Sequence, residues 1–344
     1  MRKIKLAIGM LFCFVWLFAQ NEADTLRIMS YNVENYFDTR HDSLKNDYEF
    51  LPEGSYHWTV DKFKKKQAKI AQVITAVGAW NAPALVGLIE IENDYTLKSL
   101  VRYSPLKNLG YNYIHKESPD ARGIDVALLY QPKMFEPISE EFLPINFPDN
   151  PRSKTRDILY ASGKLKNGDT LHVFVNHFPS RLGGEAASEP RRLFVASVLR
   201  AKVDSIFTVS PQANILIMGD FNDFPNNKSI NSVLGAVEPE EEISTKKLYN
   251  LMYSYNEKGD GSYKYQGQWN MLDQIIVSGP MLQADANTSI DKNKAVIFKA
   301  DFLVEKDEKF LGEKPFRTYI GMKYNGGYSD HFPVYIDLIL KKTE

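Results

Sequence analysis

Seven acidic, amide or imidazole side chains lie at the ends of apolar runs in this sequence. Asn32 follows 27–31, Glu90 follows 84–89, His177 follows 171–176, Asp220 follows 215–219, Asp273 precedes 274–277, and Asp330 and His331 precede 332–336. Each one alone is explained by a strand that runs into a turn. Because a buried charge costs several kcal/mol unless it is paired or bound to metal, so many polar strand ends favour one shared site.

The residue types at these ends suit a hard divalent cation and a phosphate. Carboxylate and amide oxygens are ligands for Mg²⁺, which commonly takes one or two carboxylates and keeps several waters. The histidines lack the H-E-x-x-H spacing of a zinc protease. Beside a hard cation, two histidines can donate hydrogen bonds to a phosphate oxygen or act as acid and base. Asp273 is a candidate to orient the His331 imidazole.

These side chains need strands that end at one rim, and the apolar runs predict such strands. We expect strands at 26–31, 84–89, 126–130, 171–175, 215–218, 275–277 and 334–340, and a long loop at 32–58. Helical spacing predicts a helix over 62–77, and a second helix is expected with Ser188 as its N-cap and Pro190 in its first turn. Strands this apolar are covered on both faces, which predicts two packed sheets with helices outside, in one domain.

The first twenty residues are typical of a secretory signal peptide. Arg2, Lys3 and Lys5 precede an apolar stretch at 6–18 that is short for a membrane span. We therefore predict a mature domain of 21–344 that is secreted or periplasmic, with no stable membrane insertion; an uncleaved anchor is the alternative. The single cysteine, Cys13, lies inside this segment, so the mature chain would have no disulfide.

The charge balance of the mature chain argues against a purely electrostatic grip on nucleic acid. Removing the three basic residues above from the total of 42 leaves 39, against 43 acidic residues, so the net charge becomes −4 with His neutral. Proteins that bind nucleic acid by phosphate neutralisation alone are usually basic. An anionic substrate would therefore need a bound cation.

Seven ordered sequence blocks carry a resemblance to the endonuclease/exonuclease/phosphatase superfamily. They are "SYNVEN" (30–35), "GLIEIEN" (87–93), "RGIDVALLY" (122–130), "VNHFPSR" (175–181), "GDFND" (219–223), "LDQIIV" (272–277) and "YSDHFPV" (328–334). The resemblance spans about residues 26–340. It implies a DNase I-like fold of the α/β (α+β) class, a four-layer sandwich of two packed, mainly antiparallel β-sheets flanked by helices.

The same resemblance assigns a metal site and a water-activating group. Glu90 is similar to the principal metal-binding carboxylate, with Asn32 beside it and Asp330 completing the site for Mg²⁺, for which Mn²⁺ or Ca²⁺ could substitute. Asp220 resembles the group that aligns or deprotonates the attacking water. Asn222 resembles a residue that binds the phosphate.

The remaining assignments concern histidines and arginines. His177 resembles the phosphate-binding histidine, and His331, paired with Asp273, resembles the histidine that polarises the phosphorus centre or moves the proton. Whether the base is an aspartate or His331 stays open. Arg122 stands where relatives place a phosphate-contacting side chain. Arg181 is a candidate substrate contact, and an ordinary loop arginine is the equal alternative.

Together these assignments predict metal-assisted, in-line attack of water on a phosphoester. The leading expectation is a monomeric nuclease that acts on DNA or RNA. A lipid or small-molecule phosphoesterase is the first alternative, although no long apolar hairpin favours a membrane substrate. A binding module that has lost the chemistry is the least favoured alternative, since all seven blocks keep their reactive side chains.

Overall fold

The computed structural model describes residues 24–341, so the predicted signal peptide lies outside the described residues. The helices are α1 (Val60–Gly78), α2 (Asp94–Tyr103), α3 (Glu185–Val209) and α4 (Tyr253–Glu257). The strands are β1 (Asp24–Tyr36), β2 (Leu85–Ile91), β3 (Asn112–His115), β4 (Asp125–Tyr130), β5 (Phe135–Leu143), β6 (Ile158–Leu165), β7 (Thr170–His177), β8 (Asn214–Asp220), β9 (Ala236–Val237), β10 (Leu248–Asn250), β11 (Tyr263–Tyr265), β12 (Gln268–Asn270), β13 (Asp273–Ser278), β14 (Thr288–Ile290), β15 (Val296–Ile297), β16 (Val304–Lys306), β17 (Glu313–Pro315), β18 (Tyr319–Ile320), β19 (Lys323–Tyr324) and β20 (Val334–Leu340).

Two large mixed sheets form the centre of the structure. The first has the order β14-β20-β1-β2-β4-β3, with β15 also on β20, and its one parallel pair is β1 with β2. The second has the order β5-β6-β7-β8-β13-β10-β9, and β7/β8 and β9/β10 are its parallel pairs. The other pairs in both sheets are antiparallel, as the sequence resemblance predicted.

The two sheets pack face to face, and a single glycine shows how closely. A Cβ placed on Gly87 of β2 would lie 3.0 Å from the end of the Met218 side chain on β8. Both residues belong to the inner layer, where large side chains leave few voids. A side chain at position 87 would therefore require the Met218 side chain to move by a few tenths of an ångström.

Helices cover the outer faces, which completes the four layers. Residues of α1 and α2 such as Ile70, Val73 and Leu97 are buried in the same core cluster as the first sheet. Val195 and Leu199 of α3 pack in a second cluster with the second sheet. Within residues 24–341, no helix has both the length and the apolar character needed to cross a bilayer.

Two predicted boundaries were wrong, each for a local reason. Helix α3 begins at Glu185 with Gly184 as its N-cap, one turn before the predicted start, because Gly184 adopts a φ of 107° that turns the chain into the helix. Ser188 is consequently inside the helix, where its hydroxyl donates to the Gly184 carbonyl at 2.7 Å. Strand β1 continues to Tyr36 instead of ending at Tyr31, because an irregularity after Asn32 lets its polar end stay paired with β2.

Candidate active site

Three of the predicted residues stand side by side at one edge of the second sheet. His177 ends β7 and pairs with Asp220 at the end of β8, because these two strands are parallel and in register. Asp220 pairs in turn with Asp273, the first residue of the antiparallel strand β13. Backbone pairing alone therefore sets an imidazole and two carboxylates in a row.

The first sheet places its polar residues against that row. The Asn32 amide nitrogen donates to Asp220 Oδ2 at 3.0 Å and also lies 3.5 Å from Glu90 Oε1, so it links the two sheets. Glu90 has a φ of 69°, and its Oε2 accepts a hydrogen bond from the Asn35 backbone at 2.8 Å. The Ser329 hydroxyl donates to the Asn32 carbonyl at 2.7 Å, which fixes the segment with Asp330 and His331 beside β1.

His331 is held by a buried carboxylate. Its Nδ1 lies 2.6 Å from Asp273 Oδ2, which also accepts from the Ser262 hydroxyl at 2.5 Å. The opposite nitrogen, Nε2, lies 3.9 Å from Asp220 Oδ2, and the Tyr263 ring packs against the imidazole with centroids 4.7 Å apart. Burial opposes protonation, but the charge and hydrogen bond of Asp273 raise the pKa of His331 well above its ordinary value. This shift favours the protonated imidazole, in which Nε2 carries a proton.

The pKa values of Asp220 and His177 are shifted in opposite directions. The first shift suits a base, and the second suits a neutral hydrogen-bond donor. Burial raises the pKa of Asp220 to about 7, with the charges of Asp273 and Glu90 adding to the shift and His331 opposing it. Burial also lowers the pKa of His177 well below its ordinary value, and Arg156, Arg122 and His331 lower it further. His177 Nε2 lies 3.7 Å from Asp220 Oδ2 and 4.0 Å from Glu90 Oε1.

The acidic side chains fit a magnesium ion, although they do not enclose one. Within residues 24–341, no three carboxylate, imidazole or thiol groups form a preassembled metal cage. Glu90 and Asp330, with side chains 15% and 18% exposed, are more open than Asp220 and Asp273, at 3% and 0%. Mg²⁺ takes one or two carboxylates and keeps waters, so these two more exposed carboxylates are the candidates to hold it. Asn32 turns its amide nitrogen toward Glu90 and its oxygen toward the Glu34 backbone, so its predicted metal ligation stays a prediction.

Asn222 and Arg122, two further predicted substrate contacts, differ in how they are held by the protein. Asn222 has a φ of 50°; its backbone N–H donates to Asp220 Oδ1 at 2.9 Å and its amide donates to the Phe178 carbonyl at 3.0 Å. Arg122 is exposed, and its backbone is held by Asp120. Both positions remain compatible with phosphate binding.

Arg181 has protein partners of its own. Its guanidinium donates to the Asn222 carbonyl at 2.8 Å, to Asp223 at 3.2 Å and to Asn227 at 3.0 Å. These bonds fasten the loop that follows β8. The structure therefore gives Arg181 a role in holding this loop, and its predicted substrate contact stays a prediction.

A second buried charge network, which the sequence analysis did not predict, lies behind Asp330. Arg317 donates to Glu34 Oε1 at 3.0 Å and to Asp330 Oδ2 at 2.9 Å. Lys66 of α1 donates to Thr318 Oγ1 and to the Tyr328 carbonyl, each at 2.5 Å. Burial opposes ionisation of Asp330, but Arg317, His331 and Lys66 lower the pKa of Asp330. Lys66 was missed because it looks like one more lysine on the polar face of a helix.

Arg156 is a further residue that sequence reasoning missed. It stands two residues before β6, a strand that was not predicted, and it is 9% exposed. The available signal was a basic residue directly before an apolar run, the same pattern that marks Asp330 and His331.

Comparison with known proteins identifies the family of the chain. Residues 27–340 match the Endonuclease/Exonuclease/phosphatase family. The chain belongs to this family. No curated protein sequence gives a significant match.

Several solved structures share the fold at low sequence identity. They include Danio rerio TDP2 complexed with a single-strand DNA product (14% identity, 91% of this chain and 98% of that chain covered, TM-score 0.53), the human Nocturnin catalytic domain with bound sulfate (15%, 92% and 96%, TM-score 0.54) and a Bacteroides thetaiotaomicron mannosyl-6-phosphatase (16%, 91% and 99%, TM-score 0.54). At these identities the similarity shows a common fold of two mixed sheets with flanking helices.

Proposed function

We propose that this protein hydrolyses phosphoester bonds with the help of a divalent metal ion, Mg²⁺ being the first candidate. The observation that carries the proposal is the convergence of Glu90, Asp220 and the His331–Asp273 pair from two different sheets within hydrogen-bonding and ion-pair distances. No structural requirement of a β-sandwich calls for these charges in one cleft. Their combined burial is costly, so a functional reason for it is favoured.

Asp220 and His331 take complementary roles in this proposal. A carboxylate with a pKa near 7 is well matched to accept a proton from an attacking water at neutral pH. His331, held as a cation by Asp273, donates its Nε2 proton to a phosphoryl oxygen whose negative charge grows in the transition state. His331 Nε2 lies 3.9 Å from Asp220 Oδ2, so the two groups are close enough to act on one phosphoryl centre.

Glu90 and Asp330 would hold the metal ion, which would polarise a phosphoryl oxygen as a Lewis acid. The Asn35 backbone and the Asn32 amide fix the orientation of Glu90. Arg317 fixes Asp330 through one oxygen. The other carboxylate oxygen of this residue, Asp330 Oδ1, lies 4.0 Å from His331 Nε2.

A nucleic acid is our leading proposal for the substrate. The polar, open rim suits an extended phosphodiester, and a fold relative, D. rerio TDP2, has been seen with a single-strand DNA product. A small phosphorylated molecule such as a sugar phosphate is the second candidate. It is favoured by a cavity of about 160 Å³ next to Asn35, with Tyr56, Arg317 and Tyr319 in its walls. A cavity of this size accepts one ring, and the B. thetaiotaomicron relative is a mannosyl-6-phosphatase.

We also propose that the protein is exported and works as a monomer in the periplasm or outside the cell. The support is the basic and then apolar start of the sequence, followed by a polar segment at 21–24.

The test is hydrolysis of DNA, RNA, sphingomyelin, inositol phosphates, mannose 6-phosphate and bis-p-nitrophenyl phosphate by residues 21–344, with Mg²⁺ and with EDTA. We expect turnover on at least one substrate, its loss in EDTA, and its near-complete loss in E90Q and H331N. H57N is the matched control, because His57 is exposed and its ring nitrogen pairs with the Pro52 carbonyl and not with a catalytic side chain. Undiminished rates in EDTA or in H331N, with the fold intact by circular dichroism, would contradict the mechanism.

A further inference from the structure

The cavity of about 160 Å³ beside Asn35 adjoins both candidate metal carboxylates. The walls of this Asn35 cavity include Glu34, Asn35, Phe50, Tyr56, Arg317 and Tyr319. The backbone N–H of Asn35 donates to Glu90 Oε2 at 2.8 Å, and Arg317 Nη2 donates to Asp330 Oδ2 at 2.9 Å. Because two wall residues contact the two carboxylates directly, a ligand in this cavity would lie next to a phosphoryl group held at the rim.

The side chain of Asn35 has unused hydrogen-bonding capacity. Its Oδ1 is buried and has no hydrogen-bond partner among residues 24–341. The hydrogen bonds of Asn35 to Glu90 and to Phe37 both use its backbone. An amide side chain offers two donors and one acceptor, and a buried amide oxygen without a partner is costly. The Asn35 amide is therefore available to a ligand.

The charges in the cavity wall are already paired. Arg317 Nε donates to Glu34 Oε1 at 3.0 Å, and the Thr318 backbone N–H donates to Glu34 Oε2 at 2.6 Å. The Arg317 guanidinium also binds Asp330, so it has two anionic partners. A second phosphate in the cavity would have to compete with these carboxylates for the arginine. The wall therefore favours an uncharged group that forms hydrogen bonds.

Three aromatic rings complete the wall and hold one another in place. The Tyr56 ring packs against Phe50 with centroids 4.9 Å apart and against Tyr319 with centroids 4.7 Å apart. The Tyr319 hydroxyl donates to the Tyr56 carbonyl at 2.8 Å. Because these contacts form the wall before a ligand arrives, less ordering is needed on binding. An amide and paired charges beside aromatic rings suit a ring with hydroxyl groups at its edge and C–H groups on its faces, which describes a sugar.

We propose that the Asn35 cavity binds the sugar ring that carries the scissile phosphate, and that the Asn35 amide selects this ring through its hydroxyl groups. This inference rests on the proposed phosphoester chemistry and names the substrate class. The volume of about 160 Å³ accommodates one ring. A free hexose phosphate and the ribose of a ribonucleotide offer the same hydroxyl-bearing ring, whereas a deoxyribose offers one hydroxyl fewer.

The competing explanation is that Asn35 is present only for its backbone conformation. Its φ of 55° is left-handed, a region that asparagine adopts more readily than most residues, and its N–H is bonded to Glu90. Glycine adopts this conformation without strain and keeps the N–H. N35G therefore removes the amide side chain alone, and a purely conformational role predicts unchanged ligand binding in this variant.

The experiment measures binding by isothermal titration calorimetry at fixed Mg²⁺, with phosphonate analogues whose C–P bond is not hydrolysed. The ligands are the analogues of mannose 6-phosphate, cyclohexylmethyl phosphate, AMP and dAMP, so that each sugar is matched by a ring with fewer or no hydroxyl groups. The variants are N35G and the matched control Q266G, which also replaces an amide side chain at a left-handed φ, 48°, but on an exposed turn.

We expect wild type to bind the mannose or the AMP analogue at least ~5-fold more tightly than its matched ligand, in keeping with one or two hydrogen bonds to the added hydroxyl groups. N35G should lose this preference by weakening the hydroxyl-bearing ligand, while its affinity for the cyclohexylmethyl analogue stays at the wild-type value. Q266G should match wild type. A preference within the mannose pair identifies a free sugar phosphate as the ligand, and a preference within the nucleotide pair identifies a ribonucleotide.

Equal wild-type affinity within both pairs, a preference that survives in N35G, or no binding of any of the four ligands overturns the proposal. If N35G does not fold, N35D decides by the same affinity ratios, because aspartate keeps the volume but loses the amide donors; an unchanged ratio counts against the proposal. If bis-p-nitrophenyl phosphate is hydrolysed while wild type shows no preference, the sugar site fails and the proposed function stands. If the preference is found but no phosphoester is hydrolysed, the proposed function fails and the sugar site stands.

Discussion

Replacing Asp273 with Asn should remove the charge that keeps His331 protonated while leaving the shape of the site unchanged. Asp273 is fully buried, and its Oδ2 lies 2.6 Å from His331 Nδ1. In D273N the amide keeps the volume and one hydrogen bond, but burial then dominates and lowers the pKa of His331. The imidazole would become neutral at the pH of the assay.

The expected size of the effect follows from this one contact. A hydrogen bond between two charged, buried partners contributes about 1.5–3 kcal/mol. At about 1.4 kcal/mol for each factor of ten, its loss lowers kcat roughly 10- to 150-fold if the protonated imidazole is required. In the wild type, the stability from this pair is fully present below about pH 6.5, the ordinary pKa of histidine, and is lost as pH rises through the raised folded pKa of His331.

The assay is the pH dependence of kcat for wild type, D273N and the control S262A. Ser262 donates the second hydrogen bond to Asp273 Oδ2, so S262A disturbs the same carboxylate without removing its charge. We expect S262A to lose only a few fold. The imidazole proton signals of His331, followed by NMR, should titrate at lower pH in D273N than in wild type.

The reasoning would be refuted by D273N retaining kcat within about threefold of wild type at pH 7. It would equally be refuted if His331 titrated at the same pH in both proteins. Equal losses in D273N and S262A would indicate that geometry, and not charge, is the contribution of Asp273.

Three further outcomes are expected. Activity should rise with pH through about 7, where Asp220 loses its proton, as measured by the kcat profile. Because the folded pKa of Asp220 exceeds its unfolded value, its contribution to stability is full below about pH 4 and is lost as pH rises through about 7. In EDTA, D220N should therefore gain more stability over wild type at pH 9 than at pH 4, and equal differences at both would refute this. R192M should cost about 1.5–3 kcal/mol in chemical denaturation, because it removes the short ion pair to the buried Asp223, which keeps Arg181 as a partner, whereas R191M on the exposed face should cost less than about 0.5 kcal/mol.

Much of the framework could be predicted because local patterns suffice for it. The strand at 334–340 was predicted with its observed bounds, and the helix predicted over 62–77 is observed as Val60–Gly78. The start of α3 was predicted wrongly. Ser188 has a side chain suited to an N-cap, but the observed N-cap is Gly184. Both residues are compatible with a helix start, and the choice depends on Ser188 becoming buried against Arg192.

The sequence by itself determined which side chains stand at strand ends, because an apolar run followed by Asp, Asn or His is a local feature that no tertiary contact has to create. Tertiary structure decided which of those ends meet, since the parallel pairing of β7 with β8 and the stacking of the two sheets fix distances between residues up to three hundred positions apart. It also decided the charge states. The pKa values of Asp220, His177 and His331 follow from burial and from charged neighbours that tertiary structure brings close.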